Sequence, residues 1–417
     1  MKVLWFEITV PSKYKNADAV LGGWQDSLEK IVSQGEDIEL YIAFDTNDPK
    51  SERKKIGKVH YIPIITSSLI YEKFESLWTS IPMSTRVVEQ AISVVNEVHP
   101  DIIHVFGTEW PYGLIASRVD CPVVLHIQGA LVPYNNANFP PNYDLKSVLS
   151  TVPVFNLRRR IGLRLTYHKR KTNEVIEREV WRNVCYYMGR TEWDRRLSKI
   201  MHPNRHYYHV DEALRDDFIN SKYEWQAPHS NKLFLISTGC GTFWKGPDML
   251  LKTAKILKEQ GVDFEWRVAG KMAEYVKVAV EKKEKSRFED NNVVFVGQLG
   301  PDNLKEMLLS STMYVHTAYI ENSPNSICEA QYLGVPVVST NVGGISSLLT
   351  DKIEGLLVSS NDPWQMACAI LELSNNKELM TKFSESGKIR ARERHNPDII
   401  YKQLISCYKS VIEDYNN

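Results

Sequence analysis

The sequence has no net charge, since its 51 lysines and arginines are balanced by 51 aspartates and glutamates. Without a basic excess there is no global field to draw nucleic acid, so any affinity for anions must reside in local patches. The six cysteines (Cys121, Cys185, Cys240, Cys328, Cys368 and Cys407) form no C-x-x-C pair. That argues for reduced thiols in a reducing compartment and against a disulfide frame or a zinc site. No stretch reaches about 18 uncharged apolar residues, so no membrane span is expected. The first ten residues are an apolar run broken by Glu7 without a small-residue cleavage site, and they read as a first strand rather than a secretory leader. D-x-D, H-E-x-x-H and G-x-x-x-x-G-K-[ST] motifs are all missing, so no metal or other cofactor is expected. The absences together describe a cytoplasmic protein that at most rests on the inner face of a membrane.

What is present is a 417-residue chain with 43% hydrophobic and 24% charged residues. This length suits two domains of about 200 residues better than one. Short apolar, β-branched runs alternate with helical patterns almost throughout, the sequence form of βαβ units around parallel sheets. Strands are predicted at 2–8, 38–44, 59–64, 102–106, 123–127, 186–189 and 206–210, with helices over 19–33 and 85–95. A second series follows at 233–237, 264–269, 293–296, 313–316, 336–339 and 355–358. Between the two series, residues 211–231 carry charges and Pro228 without strong periodicity, and read as the linker. Ligands of such folds bind at the carboxyl ends of the strands, so the expected site is the cleft between the domains.

Residues 319–344 carry the most chemistry. After the strand at 313–316 comes a loop with Glu321. Then Ser323 and Pro324 read as the N-cap and first position of a helix that Gly334 and Pro336 end. Such a helix start offers the unpaired amides of Asn325 and Ser326 and a partial charge of roughly +0.5 e, which suits a diphosphate. Glu329 then falls about 7–8 Å further along the axis at 1.5 Å per residue. Carboxylate, helix start and second carboxylate follow the order of sugar, diphosphate and ribose in a nucleotide sugar. Gly343-Gly344 permits close backbone approach. The bland alternative is that both acids merely complement the helix dipole, for about 0.3–1 kcal/mol each.

Glu321 and Glu329 form an E-x7-E motif. The run E-N-S-P-N-S-I-C-E-A-x-x-x-G-V-P-V-V-S-T-x-V-G-G, closing with Glu354-Gly-Leu-Leu-Val358, resembles the donor-site signature of family 4 of the retaining glycosyltransferases over about 40 residues. The resemblance implies a GT-B fold: α/β, two doubly wound Rossmann-like domains facing a central cleft. It assigns 1–215 to acceptor binding, with a final helix from His395 to Tyr415 packing back within 395–417, and 216–394 to the donor. It further implies a metal-independent hexosyltransferase that retains anomeric configuration and moves sugar to a glycan or lipid-linked acceptor in surface polysaccharide or glycoconjugate synthesis. The glycine-rich loop holding Gly241 and ending in Lys245-Gly246 matches the family's Lys-Gly diphosphate site. The family's usual arginine is replaced by Gly239 or Cys240, with Arg190 or Lys271 as candidates to substitute. Gly22-Gly23 resembles the loop facing the donor, and His126 the histidine beside the donor sugar; His104 is a weaker parallel. Catalysis thus falls to Glu321, His126 and Lys245, and donor binding to Glu329, Asn325, Ser326, Gly22, Gly23, Gly241 and Arg190. An epimerase of the same architecture, or a noncatalytic sugar-nucleotide-binding subunit, is also compatible.

One basic stretch stands apart. Arg158, Arg159, Arg160, Arg164, Lys169, Arg170 and Lys171 occur over 158–171 without an acid. They read as a helix face that meets anionic lipid or a lipid-diphosphate acceptor, or as a solvated face balanced by Glu174, Glu177 and Glu179.

Overall fold

The computed structural model describes residues 1–15, 23–65 and 81–417. The chain divides into two units, one formed by residues 1–135, 164–213 and 395–417, the other by 136–163 and 214–394.

In the first unit, β1 (Lys2–Glu7) is buried along nearly its whole length, as a parallel strand covered on both faces must be. The sheet continues with β2 (Glu39–Thr46), β3 (Lys54–Ile56), β4 (Val59–Ile65), β5 (Ile102–Phe106), β6 (Val123–His126), β7 (Tyr186–Gly189) and β8 (His206–His209). Their order is β3-β4-β2-β1-β5-β6-β7-β8, parallel except where β3 runs antiparallel to β4. Strand β3 escapes the sequence reading because Lys54-Lys55-Ile56 has no apolar run to betray it; lysines on such an edge discourage pairing with other chains. The helix Trp24–Gln34 overlaps the span predicted over 19–33 and runs one residue past it; residues 19–22 lie outside those described. The helix Ile81–Val98 is longer than 85–95. The last helix, Pro397–Asn416, buries Ile400, Leu404, Tyr408 and Val411 in this unit's core. Its Tyr408 hydroxyl accepts from Trp5 Nε1 at 2.9 Å and lies 2.6 Å from His104 Nδ1.

The second unit contains β9 (Leu233–Thr238), β10 (Phe264–Ala269), β11 (Val293–Gly297), β12 (Met313–His316), β13 (Val337–Thr340) and β14 (Gly355–Val358). They form a wholly parallel sheet in the order β11-β10-β9-β12-β13-β14. The chain winds outward from β9 in one direction and from β12 in the other. The boundary between β9 and β12 is therefore the topological switch point, where ligands of doubly wound sheets bind.

Two boundaries depart from the sequence reading. Residues 136–163 do not continue the first unit: Tyr143, Val148, Leu149, Val152 and Leu163 lie in the second unit's core, and the Tyr143 hydroxyl donates to Glu284 at 2.7 Å. The span 211–231 is no free linker either. It contains a short helix, Asp216–Ile219, and buries Phe218 and Trp225. The Trp225 backbone amide donates to Leu333 O at 2.8 Å and its indole to Ser311 O at 2.7 Å. Isolated large anchors of this kind leave no periodicity for a sequence to display. Among the described residues, no helix is long and apolar enough to cross a membrane.

Candidate functional site

Three loops leave the carboxyl ends of β9, β12 and β13 in the second unit, and their backbones lock together. The Tyr319 amide donates to Trp244 O at 2.7 Å, the Thr317 hydroxyl to Lys245 O at 3.0 Å, and the Gly344 amide to Glu321 O at 3.0 Å. Two glycines make this possible. Gly246 has φ +71° and a side-chain carbon there would sit 1.9 Å from Thr317 O; Gly343 has φ +54° and the same atom would sit 1.8 Å from Glu321 O. No other residue fits either place without moving the loops. Gly241 lies against the backbone of Lys271, an exposed lysine.

This locking brings Lys245, read from one motif, to Glu321, read from another. The lysine ammonium donates to Glu321 Oε1, an ion pair whose carboxylate is buried and whose lysine is about one-quarter exposed. His316, the last residue of β12, places Nε2 3.7 Å from the same oxygen. Burial drives the imidazole down to about 4, with Glu321 pulling upward and Lys245 adding to the depression, so His316 is neutral near pH 7. The sequence reading missed His316, although its place at a strand end beside the switch point was the available signal.

The helix after Glu321 begins at Asn325, with Pro324 (ψ 114°) in the N-cap position. This is one residue later than predicted, and Ser323 does not cap it. Proline fixes φ for the helix, but its extended ψ holds it outside, and its carbonyl takes the first helical bonds from Ile327 at 3.0 Å and Cys328 at 3.4 Å. The amides of Asn325 and Ser326, in the first turn, have no intrahelical acceptor. Ser326 is fixed by the Tyr314 hydroxyl, which donates to its Oγ at 2.8 Å and lies 3.0 Å from Thr238 Oγ1.

Glu329, one turn further on, is buried and held by Arg215, whose Nε and Nη2 both donate to Oε1 at 2.8 and 2.6 Å. Burial lifts its carboxyl to about 7 against the opposing pull of the guanidinium. Oε2 has no hydrogen bond among the described residues. Arg215 lies in the span read as linker, so the sequence reading did not find it. Cys240, where an arginine was expected, is a buried thiol that burial raises to about 12.

The remaining candidates lie in the first unit, most of them at or after strand carboxyl ends, with His104 mid-strand in β5. His126 ends β6, is fully buried, and packs edge-on against Trp24 at 4.8 Å. It lies 5.4 Å from His104, which stacks on Phe106 at 4.0 Å. Burial holds both imidazoles well below their usual range, with Arg190 adding to the effect at His126 and His126 at His104. Arg190 is buried, donates to Gln128 O at 2.9 Å, and lies 4.9 Å from the Trp24 ring and 4.0 Å from Glu212. Gly23 precedes the helix Trp24–Gln34 in an extended conformation with open space around it. Gly22 lies outside the described residues. The carboxyl of Glu109, after β5, is raised to about 7 by burial and by Glu177, against its own and Thr108's amides and Arg190.

Two wholly or largely parallel sheets, each with helices between its strands, constitute the fold of the GT-B glycosyltransferases. Residues 220–390, which lie within the second unit, match the family model described as "Glycosyl transferases group 1". The chain is 24% identical over 213 residues to N-acetyl-alpha-D-glucosaminyl L-malate synthase of Bacillus anthracis, covering 51% of this chain and 54% of that one. It thus spans about half the length of this curated relative. Among solved structures, sucrose-phosphate synthase from Thermosynechococcus elongatus superposes with a TM-score of 0.72 at 14% identity, over 99% of this chain and 100% of that one. Anabaena Alr3699/HepE, solved in complex with UDP-glucose, gives 0.62 at 14% identity, over 98% and 100%.

Proposed function

We propose that the protein is a family 4 retaining glycosyltransferase that moves a hexose-type sugar from a nucleotide-diphosphate donor to a glycan or lipid-linked acceptor, in surface polysaccharide or glycoconjugate synthesis. The observation that carries this reading is the convergence of Lys245, Glu321 and the Asn325 helix start on the β9/β12 switch point. In this reading the diphosphate lies against the Asn325 and Ser326 amides, with Lys245 sharing its charge between Glu321 and the phosphates. That stabilises the leaving group as the glycosidic bond lengthens. The positive charge comes from the lysine and the helix start, so the reaction needs no metal. Glu321 orients sugar hydroxyls, and Glu329 accepts from ribose hydroxyls through Oε2 while Arg215 holds Oε1. Retention of configuration, and the assignment of His126, Gly22, Gly23 and Arg190 to the donor, rest on the resemblance to family 4.

Incubation with a panel of nucleotide-diphosphate sugars, with and without oligosaccharide and lipid-phosphate acceptors, tests the proposal. The expected result is nucleoside diphosphate release that an acceptor stimulates, that EDTA leaves unchanged and that Lys245→Ala lowers about 100-fold or more. Sugar epimerisation without acceptor would point instead to the isomerase reading. Binding without turnover under every condition would point to a noncatalytic subunit.

A further inference from the structure

Four exposed apolar side chains crowd a turn of the second unit and the start of the helix that follows it. Val154 is 77% exposed, Phe155 89%, Leu157 63% and Ile161 52%. A globular surface tolerates such residues singly, but a cluster within eight positions marks a contact. The frame beneath them is built rather than loose. Asn156 Oδ1 caps the helix Leu157–Asn183 by accepting from the Arg159 amide at 3.2 Å, and the Asn156 amide donates to Pro153 O at 3.0 Å. The Arg160 guanidinium folds back to donate to Leu149 O at 2.7 Å and Val152 O at 2.8 Å, which pins the turn.

Arg160 is thus a structural member of the basic run, while Arg158 and Arg159 stay exposed and form no ion pair among the described residues. Leu157 and Ile161, four apart, share one stripe of the helix, and Arg158 flanks it. In sequence, no acid occurs between Asp144 and Glu174, whereas Lys146, Arg158, Arg159, Arg160, Arg164, Lys169, Arg170 and Lys171 all do. A protein interface of mixed charge would have no use for so one-sided a rim. Exposed apolar side chains beside two cations, Arg158 and Arg159, that form no ion pair among the described residues are what an anionic bilayer accepts: the side chains enter the acyl boundary and the guanidiniums meet phosphates.

We propose that Val154, Phe155, Leu157 and Ile161, with Arg158 and Arg159, form an insertion surface for an anionic lipid bilayer. The proposal shifts the membrane contact from the whole of 158–171 to the turn and first helical turns over 154–161. It does not depend on the donor-site reading, because vesicle binding is measured without donor or turnover.

The test is co-sedimentation of the full chain with phosphatidylglycerol/phosphatidylcholine vesicles and with pure phosphatidylcholine vesicles, at low and high salt. Expected is binding to the anionic vesicles that weakens with salt. Phe155→Ser with Leu157→Ser should reduce partitioning on the order of tenfold for each side chain, and Arg158→Gln with Arg159→Gln about fivefold for each charge. Trp364→Ser, which changes another exposed apolar residue (59%), should have no effect, and melting temperatures should confirm that all variants fold. Failure of the unaltered protein to bind anionic vesicles at low salt would overturn the proposal. So would equal loss on Trp364→Ser, or self-association that Phe155→Ser with Leu157→Ser abolishes, since the surface would then belong to a second copy.

Discussion

Both units gather side chains at or near the ends of parallel strands, yet what they gather there differs in kind. The second unit assembles charge, with Lys245 on Glu321 beside a neutral His316 and Arg215 on Glu329, all held by backbone-locked loops. The first assembles rings, with His104, His126, Phe106 and Trp24 in contact and Arg190 the nearby cation. Charge confined by glycine-built loops suits the binding and stabilisation of a diphosphate. A ring layer whose histidines are buried and neutral suits shape recognition without titration near pH 7. The two regions should therefore respond differently to substitution.

The sharpest break is expected at Gly343. Gly343→Ala forces a side chain into Glu321 O and strains a positive φ, costing at least about 2 kcal/mol and abolishing donor binding by calorimetry. Gly23→Ala, in open space with ordinary backbone angles, should leave the melting temperature unchanged. Next in size, Lys245→Ala should lower turnover about 100- to 1000-fold and, by leaving the buried Glu321 carboxylate without its cation, cost about 1–3 kcal/mol of stability. Lost stability with unchanged turnover would recast the pair as structural.

Arg215→Ala should cost about 1–3 kcal/mol by leaving the buried Glu329 carboxylate without its partner. It should also weaken nucleotide binding by displacing that carboxylate, which calorimetry and thermal melts would separate. A pH series refines the point. Burial lifts Glu329 to about 7, so below that pH it is mostly protonated and, as a neutral acid, accepts a ribose hydroxyl bond less strongly than the carboxylate does. Affinity should rise as pH climbs through about 7, by at most about tenfold per unit, and Glu329→Gln should remove the slope. Stability from this group runs the other way: its folded pKa is raised, so its contribution is present at acidic pH and lost as pH rises through about 7. The smallest effect belongs to the first unit. His126→Phe should keep the ring packing and leave the pH profile of binding unchanged.

The same contrast explains what the sequence made legible. The chemistry of the second unit lies in two windows, 238–246 and 313–344, where glycines, a proline and two glutamates at fixed spacing mark a loop and a helix start. Its partners Arg215 and His316 were missed because each is a single side chain whose meaning appears only when the sheet closes. Trp24, His104, His126, Arg190 and Tyr408 come from five separate segments, and no local spacing could show that they meet or approach one another in the same unit. Parallel strands were legible because burial on both faces demands continuous apolar runs. The edge strand β3, under no such demand, was not. The placement of 136–163 rests on Tyr143 and a few aliphatic anchors that only tertiary packing reveals.

The most direct test of the account is calorimetric titration of the unaltered protein and Lys245→Ala with a series of nucleotide-diphosphate sugars. The account predicts saturable binding of at least one of them that Lys245→Ala weakens by a factor of about 10 or more. Binding that is the same in both proteins, or no binding across the series, would contradict it.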